Sequence, residues 1–126
     1  MNRILLADSN SVLRSALALL LETRLDVQIV GQVSCMESLM CEAALTQPDI
    51  MIIGMELPGN PTQDRIAVLR YIAPRANILL SSARPEQASL TEGTAAFLCQ
   101  ADPPETILRT IRVLISSKLQ EGECHV

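Results

Sequence analysis

Short, largely apolar runs alternate along the chain with longer amphipathic segments. Five such runs predict β-strands, at residues 4–7, 27–30, 50–53, 77–80 and 95–99. The second run alternates apolar and polar positions and is interrupted by Gly31, which predicts an edge strand ending there. The others are apolar almost throughout, as is typical of strands covered on both faces of a parallel sheet.

The segments between these runs predict helices. The first is capped by Ser9 or Asn10 and ends near residues 25–26, the second spans residues 34–47, and Pro61 suits the first turn of the third. A short polar helix is predicted at residues 85–92, and Asp102 caps the last helix. Apolar residues at helical spacing predict the inward faces: Leu13, Ala16, Leu17 and Leu20, then Leu39, Met40 and Ala43, then Ile66, Leu69 and Ile72, and finally Leu108, Ile111 and Ile115.

Strand and helix alternate five times, which predicts an α/β fold with a doubly wound parallel sheet and right-handed crossovers. Ligands of such sheets bind at the carboxyl ends of the strands. The residues expected at those ends are Asp8 and Ser9 after the first strand, Gly54 after the third, Ser82 after the fourth and Gln100 after the fifth.

Composition narrows the functional class. The 126 residues suit one domain, and because there is one Phe, one Tyr and no Trp, the core is expected to be aliphatic. The net charge of −4 disfavours direct binding of nucleic acid. No apolar run reaches the roughly 18 residues of a membrane span, and no signal peptide is evident, so a cytoplasmic location is predicted.

The cysteines are Cys35, Cys41, Cys99 and Cys124, and no two form a Cys-x-x-Cys pair. The only histidine is His125, so the ligand spacing of a zinc site is absent and no cofactor is predicted. We interpret the four residues as reduced thiols that pack as small apolar groups. A redox role for Cys99 is the alternative.

Five segments carry a resemblance to a known family: ILLAD (4–8), PDIMIIGMELPG (48–59), LLSSA (79–83), GTAAFL (93–98) and PETILRTIR (104–112). Their order and spacing resemble the receiver domain of response regulators in two-component signal transduction. The branch usually joined to a helix-turn-helix output domain is the most similar. The resemblance implies a flavodoxin-like (βα)5 sheet of five strands in the order 2-1-3-4-5. It also implies a receiver-like domain over residues 1–119 and a short tail over 120–126.

The resemblance also implies where the phosphorylation chemistry of the family would lie. In the family, two acidic residues after the first strand hold Mg²⁺ and an aspartate at the end of the third strand accepts a phosphoryl group. A Ser or Thr and a Lys after the next two strands contact the phosphate. Here Asp8 is followed by Ser9, Gly54 occupies the acceptor position, and Gln100 replaces the lysine. Ser82 matches the hydroxyl position, or it simply caps its strand. The site is therefore predicted to be degenerate.

Other residues have two interpretations each. Phe97 matches the aromatic residue whose rotamer reports the switch in the family. Asp8 and Glu56 are weak candidates for a shared metal ion, but Asp8 can instead bond loop amides and Glu56 can be a solvated loop charge. Arg109 and Arg112 of the last helix border a possible partner surface or are simply solvated.

The favoured hypothesis is a non-enzymatic pseudo-receiver, which acts in transcription regulation through a protein partner or a homodimer, independently of phosphorylation. A DNA-binding output domain outside this chain is a further possible partner. The alternative is a ligand- or metal-responsive sensor that reuses the emptied pocket through Asp8, Ser9, Ser82 and Gln100. A third hypothesis is phosphotransfer through an unusual acceptor.

Overall fold

A computed structural model describes residues 2–59, 61–84 and 96–124 of the chain. This part of the chain contains five strands and four helices. In chain order they are β1 (Asn2–Ala7), α1 (Ser11–Arg24), β2 (Val27–Val33), α2 (Met36–Thr46), β3 (Ile50–Gly54), α3 (Gln63–Ile72), β4 (Asn77–Ser82), β5 (Ala96–Cys99) and α4 (Pro104–Cys124). The helix predicted at residues 85–92 lies outside the described residues.

All five strands are parallel and lie in the order β2-β1-β3-β4-β5, which confirms the predicted fold class. The register aligns the carboxyl ends of the inner strands, because Ala7 pairs with Ile53 and Gly54 pairs with Ser81. Strand order reverses between β1 and β3, so the loops after these two strands flank a crevice. The predicted division at residue 119 stays a prediction.

Two apolar layers cover the sheet. One packs α2 and α3 against residues such as Leu5, Met51 and Leu80, and the other packs α1 and α4 against residues such as Leu6 and Leu79. Successive strand residues point to opposite faces, so each inner strand contributes to both layers. Of the predicted inward helix positions, Leu39, Ala43, Ile66, Leu69, Leu108 and Ile111 are buried, and Met40, Ile72 and Ile115 are partly buried.

The second strand does not end at Gly31, so that prediction was wrong. β2 continues to Val33, and its pairing with β1 shifts by one residue between Ile4 and Leu5. A Cβ atom at position 31 would lie 2.9 Å from Cδ1 of Leu5, closer than van der Waals contact allows. Gly31 therefore permits a close approach at a β-bulge rather than marking a strand end.

The helices α1 and α3 each begin directly after a residue whose side chain caps the helix. Asn10 caps α1 and accepts a hydrogen bond from the Leu13 amide, which confirms one of the two predicted caps. Pro61 does not lie in the first turn of α3, so that prediction was wrong. Thr62 caps α3 instead, because its hydroxyl accepts from the Arg65 amide, which lies in the first turn and has no partner within the helix.

The inward face of α1 matches the prediction only in part. Leu13, Leu17 and Leu20 are partly buried, but Ala16 is exposed, and the buried residues are Ala18 and Leu21. Three consecutive leucines at positions 19–21 make the helix apolar on most of its sides, so spacing alone does not identify the face that meets the sheet. Among the described residues, no helix combines the length and apolar character needed to cross a bilayer.

Candidate functional site

The carboxyl ends of β1, β3, β4 and β5 surround a cleft of about 220 Å³. The structure brings together every residue that the sequence predicted for this position. The lining side chains and backbone come from Asp8, Ser9, Asn10, Leu13, Gly54, Met55, Glu56, Ser81, Ser82, Ala83 and Gln100. The cleft is polar because carboxylate, hydroxyl and amide groups converge on it from four separate strand ends.

Asp8 is half-buried and held by neighbours on three elements. Its Oδ1 accepts a hydrogen bond of 2.8 Å from the Asn10 amide, and its own amide donates to the Val33 carbonyl at 3.0 Å. Its Oδ2 accepts from Nε2 of Gln100 at 3.2 Å. These contacts match the interpretation in which Asp8 bonds loop amides at the start of the first helix.

Gly54 ends β3 and is fully buried. A Cβ atom at this position would lie 2.8 Å from Oδ2 and 3.2 Å from Cγ of Asp8. Among the glycines that the structure describes, only Gly59 has a positive φ, so the backbone of Gly54 would tolerate other residues. A side chain at position 54 would therefore require the Asp8 carboxylate to move, because it would begin only 2.8 Å from Oδ2 of Asp8.

Gln100 contacts two strand ends through one amide group. Its Nε2 donates to Oδ2 of Asp8 and to Oγ of Ser81, both at 3.2 Å, and its backbone amide donates to the Ser82 carbonyl at 2.8 Å. The side chain therefore uses both of its N–H donors. A glutamine carries no charge, so it can orient the Asp8 carboxylate without neutralising it.

Sequence reasoning missed Ser81. This serine is only 2% exposed and bonds Gln100, whereas the predicted Ser82 accepts a hydrogen bond of 3.0 Å from the Arg84 amide through Oγ. Ser82 thus fits the interpretation of a strand cap, although it also lines the cleft. The pair Ser81-Ser82 was visible in the sequence, but spacing does not show which hydroxyl faces the β5 loop.

Arg14 was missed as well. Its guanidinium donates to the main-chain carbonyl of Asp8 at 2.6 Å and to Oε1 of Gln32 at 3.4 Å. This contact brings a positive charge to the end of β1, where the family places its metal. The available signal was its position one turn after the Asn10 cap, on the side of α1 that faces the strand end.

The side chains present do not match the Mg²⁺ site that the resemblance implies. Ser9 supplies a hydroxyl in place of the second carboxylate, and both oxygens of Asp8 already accept hydrogen bonds. Within the described ranges, no three His, Cys, Asp or Glu side chains cluster as metal ligands. Glu56 is exposed but lines the same cleft as Asp8, so the shared metal ion stays a weak prediction.

The remaining candidates lie away from the cleft. Phe97 is half-buried on β5 and pairs in register with Leu80, while Arg109 and Arg112 are exposed on α4. Their proposed roles as a switch residue and a partner surface stay predictions.

Cys35, Cys41 and Cys99 are free thiols. Sγ of Cys35 lies 3.3 Å from Oγ of Ser38, and hydrogen bonds from the Ser38 hydroxyl and amide lower the pKa of the Cys35 thiol. The redox role considered for Cys99 stays a prediction.

Comparisons with known proteins agree with this architecture. No protein-family model matches the chain. It is 27% identical to the transcriptional regulatory protein DesR of Bacillus subtilis (strain 168) over 117 residues, which cover 91% of this chain and 59% of DesR. The chain therefore spans about three fifths of the length of this curated relative.

Solved structures show the same fold. A LuxR-family two-component response regulator from Aurantimonas sp. SI85-9A1 superposes with a TM-score of 0.81 at 19% identity, over 93% of this chain and 86% of that one. The receiver domain of the response regulator NarL from Mycobacterium tuberculosis superposes with a TM-score of 0.75 at 23% identity, over 87% and 92% of the two chains. The curated and structural neighbours of this chain are therefore response-regulator receiver domains, and the chain shares their fold.

Proposed function

We propose that the chain is a receiver-like module of a response regulator that signals without phosphorylation of an aspartate and without catalysis of its own. The observation that carries this proposal is the end of β3, where Gly54 offers no acceptor and any side chain would begin only 2.8 Å from the Asp8 carboxylate. Gln100 supplies a neutral amide where the family uses a charged lysine. The chain has a single lysine, Lys118, near the end of α4.

Without a phosphoacceptor, the domain loses the phosphoryl group as its input signal. A two-state switch responds to a ligand only if the ligand binds its two states with different affinity. Without an acceptor, the phosphoryl group has no place from which to bias the fold. The surfaces that contact protein partners do not depend on that chemistry, so signalling through contact is retained.

Phosphorylation itself tests the proposal. We expect the intact mass to be unchanged after incubation with acetyl phosphate and Mg²⁺, because Gly54 cannot form an acyl phosphate. Stoichiometric gain of one phosphoryl group, removed by hydroxylamine, would show that another carboxylate accepts it. Repeating the reaction with Asp8→Asn would then decide whether Asp8 is that acceptor, which is the third hypothesis from the sequence.

We further propose that the contact surface includes α4, either for a second copy of this chain or for another protein. Arg109, Arg112 and Val113 lie exposed on this helix, and Val113 is 62% accessible although it is apolar. An apolar side chain beside two cations suits a contact that buries a small apolar centre within a charged rim.

Light scattering over a range of concentrations tests self-association. We expect a dimer that Arg112→Glu weakens, because charge reversal at the rim disturbs the contact. The same reversal on α3, Arg70→Glu, is the matched control and should leave the dimer intact. A strict monomer at high micromolar concentration would rule out the homodimer and leave a different protein as the partner.

The relatives suggest the biological setting of the module. DesR is a transcriptional regulatory protein, so we propose that this chain also serves transcription regulation in the cytoplasm, through a DNA-binding output domain outside the sequence described. The net charge of −4 supports an indirect role, since phosphate backbones repel an acidic surface.

A second candidate function rests on the cleft. Its volume of about 220 Å³ lies below the range typical of drug-sized ligand sites, so it would admit only a small ligand. Asp8, Ser9, Ser82 and Gln100 would supply its polar contacts. This sensor would respond to the ligand through the strand ends that line the cleft.

A further inference from the structure

Three strand ends are joined by one hydrogen-bond network. Asp8 follows β1, Ser81 belongs to β4, and Gln100 follows β5, and the Gln100 amide contacts both of the other side chains at 3.2 Å. We propose that these three residues, here termed the latch, permanently hold the carboxyl ends of β1, β4 and β5 in one arrangement. The latch thus fixes these strand ends without a ligand.

The latch lies between two different spaces. One is the polar cleft, and the other is a smaller pocket of about 30 Å³ lined mainly by apolar side chains, which include Leu13, Leu98 and Ile107. Asp8, Ser81 and Gln100 line both spaces, so their contacts lie on the boundary between the polar cleft and the apolar pocket.

The polar groups of Gln100 and Asp8 in the latch are satisfied by hydrogen bonds. Both N–H donors of the Gln100 amide are used, and each Asp8 oxygen accepts at least one hydrogen bond. Across the described residues, no buried side-chain nitrogen or oxygen atom is without a partner. A satisfied network resists opening, because a break at Ser81 would leave its buried hydroxyl without the bond to Gln100.

Gly54 is a condition for the latch. A side chain at this position would begin 2.8 Å from the Asp8 oxygen that accepts from Gln100, and would push the carboxylate away. Gly54 and Gln100 therefore act together, because Gly54 leaves room for the Asp8 carboxylate and Gln100 holds it in place. The latch concerns the chain alone, so its test needs no phosphodonor and can fail while the proposed function stands.

Amide hydrogen exchange tests the latch by comparing the two edges of the sheet. At the carboxyl edge, the amides of Asn10, Met55 and Gln100 are hydrogen-bonded to Asp8 Oδ1, to the Ser81 carbonyl and to the Ser82 carbonyl. At the opposite edge, the amides of Asp49 and Asn77 are hydrogen-bonded to other main-chain carbonyls. In Gln100→Leu we expect exchange at the first three to accelerate about tenfold or more, with the other two unchanged.

Matched variants separate the latch from general destabilisation. Ser81→Ala and Gln100→Asn, whose side chain is one methylene shorter, should accelerate the same amides, whereas Ser82→Ala should not, because the Ser82 hydroxyl accepts from the Arg84 amide and the Gln100 amide bonds Ser81. Gly54→Ala should open the latch in the wild type but have no further effect in an Asp8→Ala background. Equal acceleration at both edges, equal effects of the two serine variants, or no acceleration in Gln100→Leu would overturn the proposal.

Discussion

Replacing Gly54 with aspartate should destabilise the fold by about 1–3 kcal/mol at neutral pH, although it restores the acceptor residue of the family. The new Cβ would lie 2.8 Å from the Asp8 carboxylate, and Asp8 is tied to Asn10 and Gln100 by hydrogen bonds that must break for it to move. The added carboxylate then faces the one already there, and like charges at this separation repel. Urea unfolding with the slope held common to both proteins measures the loss.

Asparagine at the same position is the matched control, because it has nearly the same shape without the charge. The difference in stability between Gly54→Asp and Gly54→Asn isolates the repulsion. That repulsion favours protonation of the carboxyl pair in the folded variant, so the penalty is present at neutral pH and fades as the pH falls toward about 4. A difference independent of pH would show that the two carboxylates do not share the pocket.

Added Mg²⁺ should change the stability of Gly54→Asp but not that of the wild type. Mg²⁺ is bound through one or two carboxylates, so Gly54→Asp should regain part of its lost stability when the ion is added, while the wild type gains nothing beyond the effect of an inert salt. Phosphorylation should need the further changes Ser9→Asp and Gln100→Lys, which restore the metal ligand and the cation. A magnesium-specific rise in the melting temperature of the wild type, lost in Asp8→Asn, would favour the metal-responsive hypothesis.

Truncating Leu39 to alanine should cost about 2–5 kcal/mol of stability, which is the largest effect expected of any single change discussed here. Leu39 has no exposed surface and lies on α2 in the layer that covers one face of the sheet. Its loss leaves a cavity in an aliphatic core that has few large side chains able to fill it. Thermal or urea unfolding measures the change.

Leu45 provides the matched control for this prediction. It lies on the same helix, one residue before its end, and is 79% exposed. Leu45→Ala should therefore change stability by no more than about 0.5 kcal/mol. If both variants lost the same amount, helix propensity rather than burial against the sheet would explain the result, and the packing of α2 described above would be wrong.

The sequence by itself determined the order of the elements and the edge at which the site lies. Apolar runs alternating with amphipathic segments require a parallel sheet covered on both faces, and the residue that follows each strand then falls at one edge. For that reason Asp8, Ser9, Gly54, Ser82 and Gln100 could be placed in a single cleft without coordinates, and the structure confirms that placement.

Tertiary structure decided how those residues contact one another. The Asp8 carboxylate lies 2.8 Å from where a Cβ atom at position 54 would be. That distance depends on the Asp8 rotamer and on the separation of β1 and β3, and the local sequence determines neither. The same holds for Ser81, whose partner Gln100 lies 19 residues away, and for the contact of Arg14 with Gln32, 18 residues away. Local patterns fix which face of a strand a residue occupies, but contacts of about 3 Å between different elements are set only when the whole sheet and its helices pack.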